Sequence, residues 1–136
     1  MEKQDPISLE GEELDSWIAQ YIFGEKKPKP LKGAAAKKVL ESQLTGLKSS
    51  NGEDGAWICY CVYERGDVPE WHPRGFSQER TEAFRIVDRI KSNFDLWRDL
   101  DGEWSARFGV SSYVHAKSDI EAICRAAVIY YQDQKR

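Results

Sequence analysis

The sequence predicts an α/β fold: a small three-layer α-β-α sandwich, with helices on both faces of a largely antiparallel sheet of about four strands. Three observations carry this expectation. Leu14, Trp17, Ile18, Tyr21 and Ile22 fall at i, i+3, i+4, i+7 and i+8, one continuous apolar stripe of a helix. Two alternating runs, Phe94 to Leu100 and Glu103 to Phe108, meet at the turn pair Asp101-Gly102, the strongest short-range hairpin signal. Ser118-Asp119-Ile120-Glu121 then forms a capping box, ahead of a stripe made by Ile120, Ile123, Cys124, Ala127, Val128 and Tyr131. A chain of 136 residues can bury one core and is too short for two, so residues 1–136 are read as a single domain.

The elements follow in order. Glu12 and Glu13 stand in the first turn of the opening helix, where the macrodipole favours anions, and Gly24 is placed to end it. In Glu25-Lys26-Lys27-Pro28-Lys29-Pro30 the prolines forbid a helix and the charges favour water, which predicts an exposed connector. Ala36, Val39, Leu40, Gln43, Leu44 and Leu47 return to helical spacing, with Gly46 ending the regular part. Lys48 to Gly55, rich in Ser, Gly and Asn, reads as a loop. Trp57 to Tyr63 is aromatic and β-branched with apolar residues on both faces, a strand covered on both sides. Two prolines and two glycines break up Glu64 to Gly75, which predicts a loop around Trp71-His72-Pro73-Arg74. Ser77 is placed to cap a helix with Ala83, Val87 and Ile90 on its stripe. After the Asp101-Gly102 hairpin, a second turn at Gly109 to Ser112 leads to Tyr113-Val114-His115-Ala116 and completes a three-stranded meander.

Composition narrows the function. Hydrophobic residues make up 40% and charged residues 32%, with five Trp, which excludes disordered and fibrous classes. Acidic residues outnumber basic ones 23 to 20, against a general electrostatic hold on nucleic-acid phosphates. No stretch approaches the roughly 20 apolar residues of a membrane span, and the N-terminus is acidic where a signal peptide is basic then apolar. A soluble protein of the cytoplasm is expected. Cys59 and Cys61 share one face of a strand and Cys124 lies far away, so neither a disulfide framework nor a metal site with two close ligand pairs is indicated. The thiols are read as small buried hydrophobes, and no metal or cofactor is expected.

The opening Leu14-Asp15-x-x-Ile18-Ala19-x-x-Ile22-x-Gly24, the Phe76-Ser77 helix entry with Ala83-Phe84, the Trp104-to-Phe108 strand and the run Ala116-Lys117-Ser118-Asp119-Ile120-Glu121-Ala122-Ile123-Cys124-Arg125-Ala126-Ala127 together resemble the phage ABA sandwich domain family. Residues 25–56 fall outside the resemblance and read as an insertion or divergent segment. The resemblance implies a sheet between helical layers and a bacteriophage or prophage setting, in the cytoplasm of a bacterial host. It supplies no catalytic residues, and a fold does not specify an activity.

Phosphate loops, nucleophile elbows, two-His helix motifs and kinase motifs are all absent from the sequence. The expected function is therefore non-enzymatic binding, by a phage accessory protein that antagonises a host factor such as a bacterial defence system. Trp71, His72 and Arg74 combine an aromatic ring, a titratable ring and a bidentate cation in a proline-stiffened segment, the residue types enriched at binding hot spots. The bland alternative is that Trp71 fills a gap while His72 and Arg74 are solvated. Trp97, on the polar-patterned side of its strand, and Arg107 are further candidates, unless a helix covers that face. Asp95, Asp99, Asp101 and Glu103 flank the hairpin and are read as a solvated face, and His115 as an ordinary sheet residue. Two other functions stay open. One is a sponge that holds a cyclic or other nucleotide signal at an oligomer interface, with Trp71 or Trp97 stacking on the base and Arg74 or Arg107 on phosphate. The other is a small nucleotide hydrolase using His72.

Overall fold

The N-terminal apolar stripe forms α1 (Gly11–Trp17), which runs on into a π turn at Ile18–Ile22. Gly24 ends the segment with a φ of +68°, a conformation glycine adopts at no cost, and the Glu25 N–H reaches back to the Ala19 carbonyl at 3.0 Å. Of the stripe, Leu14 and Ile18 are buried, and so is Ala19 beside it. This computed structural model describes residues 6–34, 36–38, 48–53, 55–61 and 69–135. Most of the second predicted helix, Val39 to Leu47, and the segment Val62 to Val68 lie outside them.

The fold is α/β with antiparallel sheets. Where the sequence predicts one sheet of about four strands, the described residues form two sheets of three: β1 (Lys48–Glu53), β2 (Trp57–Cys61) and β3 (Pro69–Pro73), then β4 (Phe94–Arg98), β5 (Trp104–Phe108) and β6 (Val114–Ala116). The additional strands are β1 and β3, both read as loops from the sequence. Each pairs with β2 from the outside, Ser49 opposite Ile58 and Trp71 opposite Cys59. An edge strand tolerates proline, and Pro69 and Pro73 stand at the two ends of one.

The hairpin and meander form as expected. Gly102 supplies a φ of +89°, the Asp99 N–H donates to the Glu103 carbonyl at 2.7 Å, and Asp101 accepts from the Glu103 N–H at 2.9 Å. Register places Phe94, Leu96, Trp104, Ala106, Phe108, Val114 and Ala116 on one face. Against this face packs α3 (Asp119–Gln134), which buries Ala122, Ile123, Cys124, Ala126, Ala127 and Val128. The Ser118 hydroxyl accepts from the Glu121 N–H at 3.1 Å, as the capping box requires. On other sides α3 meets the π turn and α2 (Arg80–Arg89), while α1 leans on β3.

Two expectations are corrected. Ser77 does not cap α2: the cap position is Glu79, which makes no side-chain cap bond, and the Ser77 N–H instead donates to Asp15. Nor does a helix among the described residues cover the second face of β4–β6. There Trp97 is 37% exposed and Tyr113 is exposed as well.

Candidate functional site

Strand alternation separates the residues of Trp71-His72-Pro73-Arg74. Trp71 turns to the core and is 6% exposed, with its indole N–H donating to the Lys29 carbonyl at 3.1 Å. Trp57 does the same to the Glu25 carbonyl at 2.9 Å, so the proline-lysine connector is tied to the sheet by two indoles. His72 faces the other way. Its ring stacks on Tyr60, centroids 4.5 Å apart, and its Nδ1 lies 3.0 Å from Glu12 Oε1. Arg74, just past the strand, donates its Nε–H to the Gly55 carbonyl and holds its guanidinium 3.6 Å from Glu82. The bland reading is thus right about Trp71 as a filler and corrected for the other two, because His72 and Arg74 are each only 9% exposed.

His72 and Arg74 line a cleft of about 460 Å³ between α1, β2, β3 and α2. Glu12 and Asp15 enter it from α1, where a spacing of three puts them on one side of the helix. Glu79 and Glu82 enter from the start of α2. Asp15 is buried and accepts from the Ser77 N–H at 2.7 Å. Burial pushes its carboxyl up to about 6, assisted by the charge of Glu12 and opposed by the Ser77 hydrogen bond. Sequence reasoning missed Glu12, Asp15 and Glu82 as partners, because they come from elements some sixty residues from His72 or on the far side of the cleft. The faint available signal was a carboxylate on an otherwise apolar helix stripe beside Leu14.

Trp97 and Arg107 lie elsewhere, together, on the open face of β4–β6. The Trp97 indole N–H donates to Asp99 at 2.8 Å and its ring meets the Tyr113 ring edge-on at 4.6 Å. The Arg107 guanidinium lies 4.2 Å from the centre of that same Tyr113 ring and pairs with Asp95 at 2.9 Å. Tyr113, not singled out in the sequence, is the ring that unites the two. Beside it the hairpin carboxylates converge on His115: Asp99 at 2.8 Å from Nδ1, Glu103 at 2.5 Å and Asp101 at 3.4 Å from Nε2. Burial opposes a charged imidazole, but Glu103, Asp99 and Asp101 outweigh it and raise the His115 pKa. Ser105, opposite His115 in register, donates its hydroxyl to Asp99 at 2.7 Å. Asp99, Asp101 and His115 bring their ligand atoms within 4.8 Å of one another, the spacing a divalent cation could bridge. The signal for this cluster was the register itself, which sets position 115 beside the turn carboxylates.

Comparison with known proteins finds no matching family model, curated protein or solved structure. No helix among the described residues is long and apolar enough to cross a membrane.

Proposed function

We propose that the protein is a non-enzymatic binding protein, and that it engages a host protein through the open face of β4–β6, with Trp97, Tyr113 and Arg107 as the anchors. The observation that carries this reading is an exposed Trp and Tyr locked edge to face on a sheet face that no helix among the described residues covers, with an arginine held over one of the rings. Such preassembled aromatic and arginine side chains lose little freedom on binding and are the residue types that dominate protein interfaces. Resemblance of the opening helix and the closing strand-helix run to the phage ABA sandwich family supports a phage accessory role, antagonising a host factor such as a bacterial defence system in the host cytoplasm.

The nucleotide readings have less support. A sponge needs a free arginine for phosphate, and both candidates are engaged, Arg74 beside Glu82 and Arg107 with Asp95. Hydrolysis at His72 would draw a polyanionic substrate into a cleft lined by four carboxylates, Glu12, Asp15, Glu79 and Glu82.

Wild type and the double variant Trp97→Ala/Tyr113→Ala, purified in parallel from the bacterial host, test the proposal. A single stoichiometric host protein should accompany wild type and be lost from a variant that melts at nearly the same temperature. A variant that keeps the partner would remove the open face from consideration, and intact nucleotide released on denaturing wild type would favour the sponge.

A further inference from the structure

We propose that the lysine-rich connector, residues 26–38, is a docking strip for the phosphate backbone of a nucleic acid, bound without regard to base sequence. It uses none of the residues of the partner surface on β4–β6 and does not rest on that reading. The acidic balance of the whole chain conceals a local surplus of the opposite sign. Residues 26–38 hold six lysines and no Asp or Glu, so in a chain of net charge −3 the remaining residues together carry −9. Lys26, Lys27, Lys29, Lys32, Lys37 and Lys38 are all exposed. Among the described residues none of the six forms an ion pair. Positive charge so concentrated on an otherwise anionic body is the electrostatic footprint of a site for a polyanion.

The strip is also held in place. Glu25, the carboxylate next to the first lysine, turns inward, where its Oε2 accepts from the Ala56 N–H at 3.0 Å and its carbonyl accepts from the Trp57 indole at 2.9 Å. Farther along, the Trp71 indole donates to the Lys29 carbonyl at 3.1 Å and Leu31 packs against the core. Pro28 and Pro30 fix two more backbone dihedrals between these anchors, and the Lys37 N–H closes a helical turn on the Gly33 carbonyl at 3.1 Å. The anchors take carbonyls and an apolar side chain while the lysine side chains stay exposed, so a ligand meets a strip whose backbone is already ordered. Residue type then selects the ligand. Lysine is a point charge suited to phosphate oxygens rather than to bidentate reading of a base, and residues 26–38 contain no aromatic ring on which a base could stack. What remains is backbone contact, which gives affinity without sequence preference. The −9 elsewhere selects the shape: a narrow polyanion can follow the lysines, whereas an anionic membrane, being a plane, brings its charge against the acidic body as well.

Fluorescence anisotropy of the intact protein with a labelled DNA duplex and a labelled single strand of mixed sequence tests this, between about 50 and 200 mM salt, with phosphatidylserine vesicles as a control. Saturable binding is expected, with the logarithm of the association constant falling against that of salt at a slope of about −5 on the duplex, or about −4 on the single strand, if all six lysines reach phosphate. The two slopes and affinities show which form the strip prefers, and a second duplex of unrelated sequence should bind equally well. The combined variant Lys26→Gln, Lys27→Gln, Lys29→Gln and Lys32→Gln removes four charges and none of the anchoring carbonyls. It should melt like wild type, bind at least about a hundredfold more weakly at the lower salt, and flatten the duplex slope to about −2. Arginine at the same four positions keeps the charge and should restore binding. If the glutamine variant melts early, the wild-type salt slope and the arginine variant decide. No saturation by either nucleic acid at the lower salt, a wild-type slope no steeper than about −2, affinity unchanged in a folded glutamine variant, or binding of the vesicles but of neither nucleic acid would each overturn the proposal.

Discussion

Trp71 and Trp97 are the same side chain in two different surroundings, and what lies beyond each strand accounts for the difference. Behind β3 the connector offers the Lys29 carbonyl to the Trp71 indole, so the ring is closed off and its N–H satisfied. On the open face of β4 the ring that meets Trp97 is that of Tyr113, and Trp97 satisfies its N–H on Asp99 while its own ring remains exposed. Trp71→Ala should therefore cost about 3 to 5 kcal/mol in denaturant unfolding, the scale for removing a large aromatic from a core, whereas a cost near zero would return Trp71 to the surface. Asp15 makes a second residue-scale prediction through its pKa. The fold raises that carboxyl from an ordinary 3.8 to about 6, so the native state favours the neutral form. Its contribution is fully present below about pH 4 and is lost as pH rises through about 6. Asp15→Asn stays neutral and can still accept from Ser77. Its melting temperature should match wild type near pH 4 and exceed it above pH 7, by an amount corresponding to about 3 kcal/mol at most. Parallel curves across that range would mean that Asp15 is not desolvated.

At the scale of elements, legibility followed locality. The Asp101-Gly102 hairpin and the start of α3 each carry their instructions within a few adjacent residues, and both form as the sequence indicates. Ser118→Ala should cost about 1 kcal/mol, because it removes the acceptor that satisfies the Glu121 N–H; calorimetry indistinguishable from wild type would show that the helix start needs no cap. β1 and β3 were illegible for the converse reason. Lys-Ser-Ser-Asn-Gly-Glu has no alternation to betray a strand, and Pro69 and Pro73 imitate a loop. Both segments become strands by hydrogen bonding to β2, a tertiary effect with no local signature. Ser77 misled in the opposite sense. It is a good capping residue by type, but Asp15, across the chain, claims its N–H.

At the scale of the whole molecule, the candidate residues divide between two faces that the sequence could not tell apart. His72 and Arg74 were recognisable by type, but their setting comes from α1 and α2, and that setting turns a suspected phosphate contact into an acidic cleft. Trp97 and Arg107 were recognisable by alternation, and Tyr113 brings them together because the meander carries it over β4 and β5. The helix expected over that face is missing from it among the described residues, and Trp97 and Tyr113 are exposed there. Photo-crosslinking in bacterial cells tests this most directly, with a photoreactive amino acid at the exposed position 112, next to Tyr113, in one variant and at position 78, beside the cleft, in another. The account predicts one discrete protein adduct from position 112 and none from position 78. An adduct formed only from position 78, or none from position 112, would contradict it.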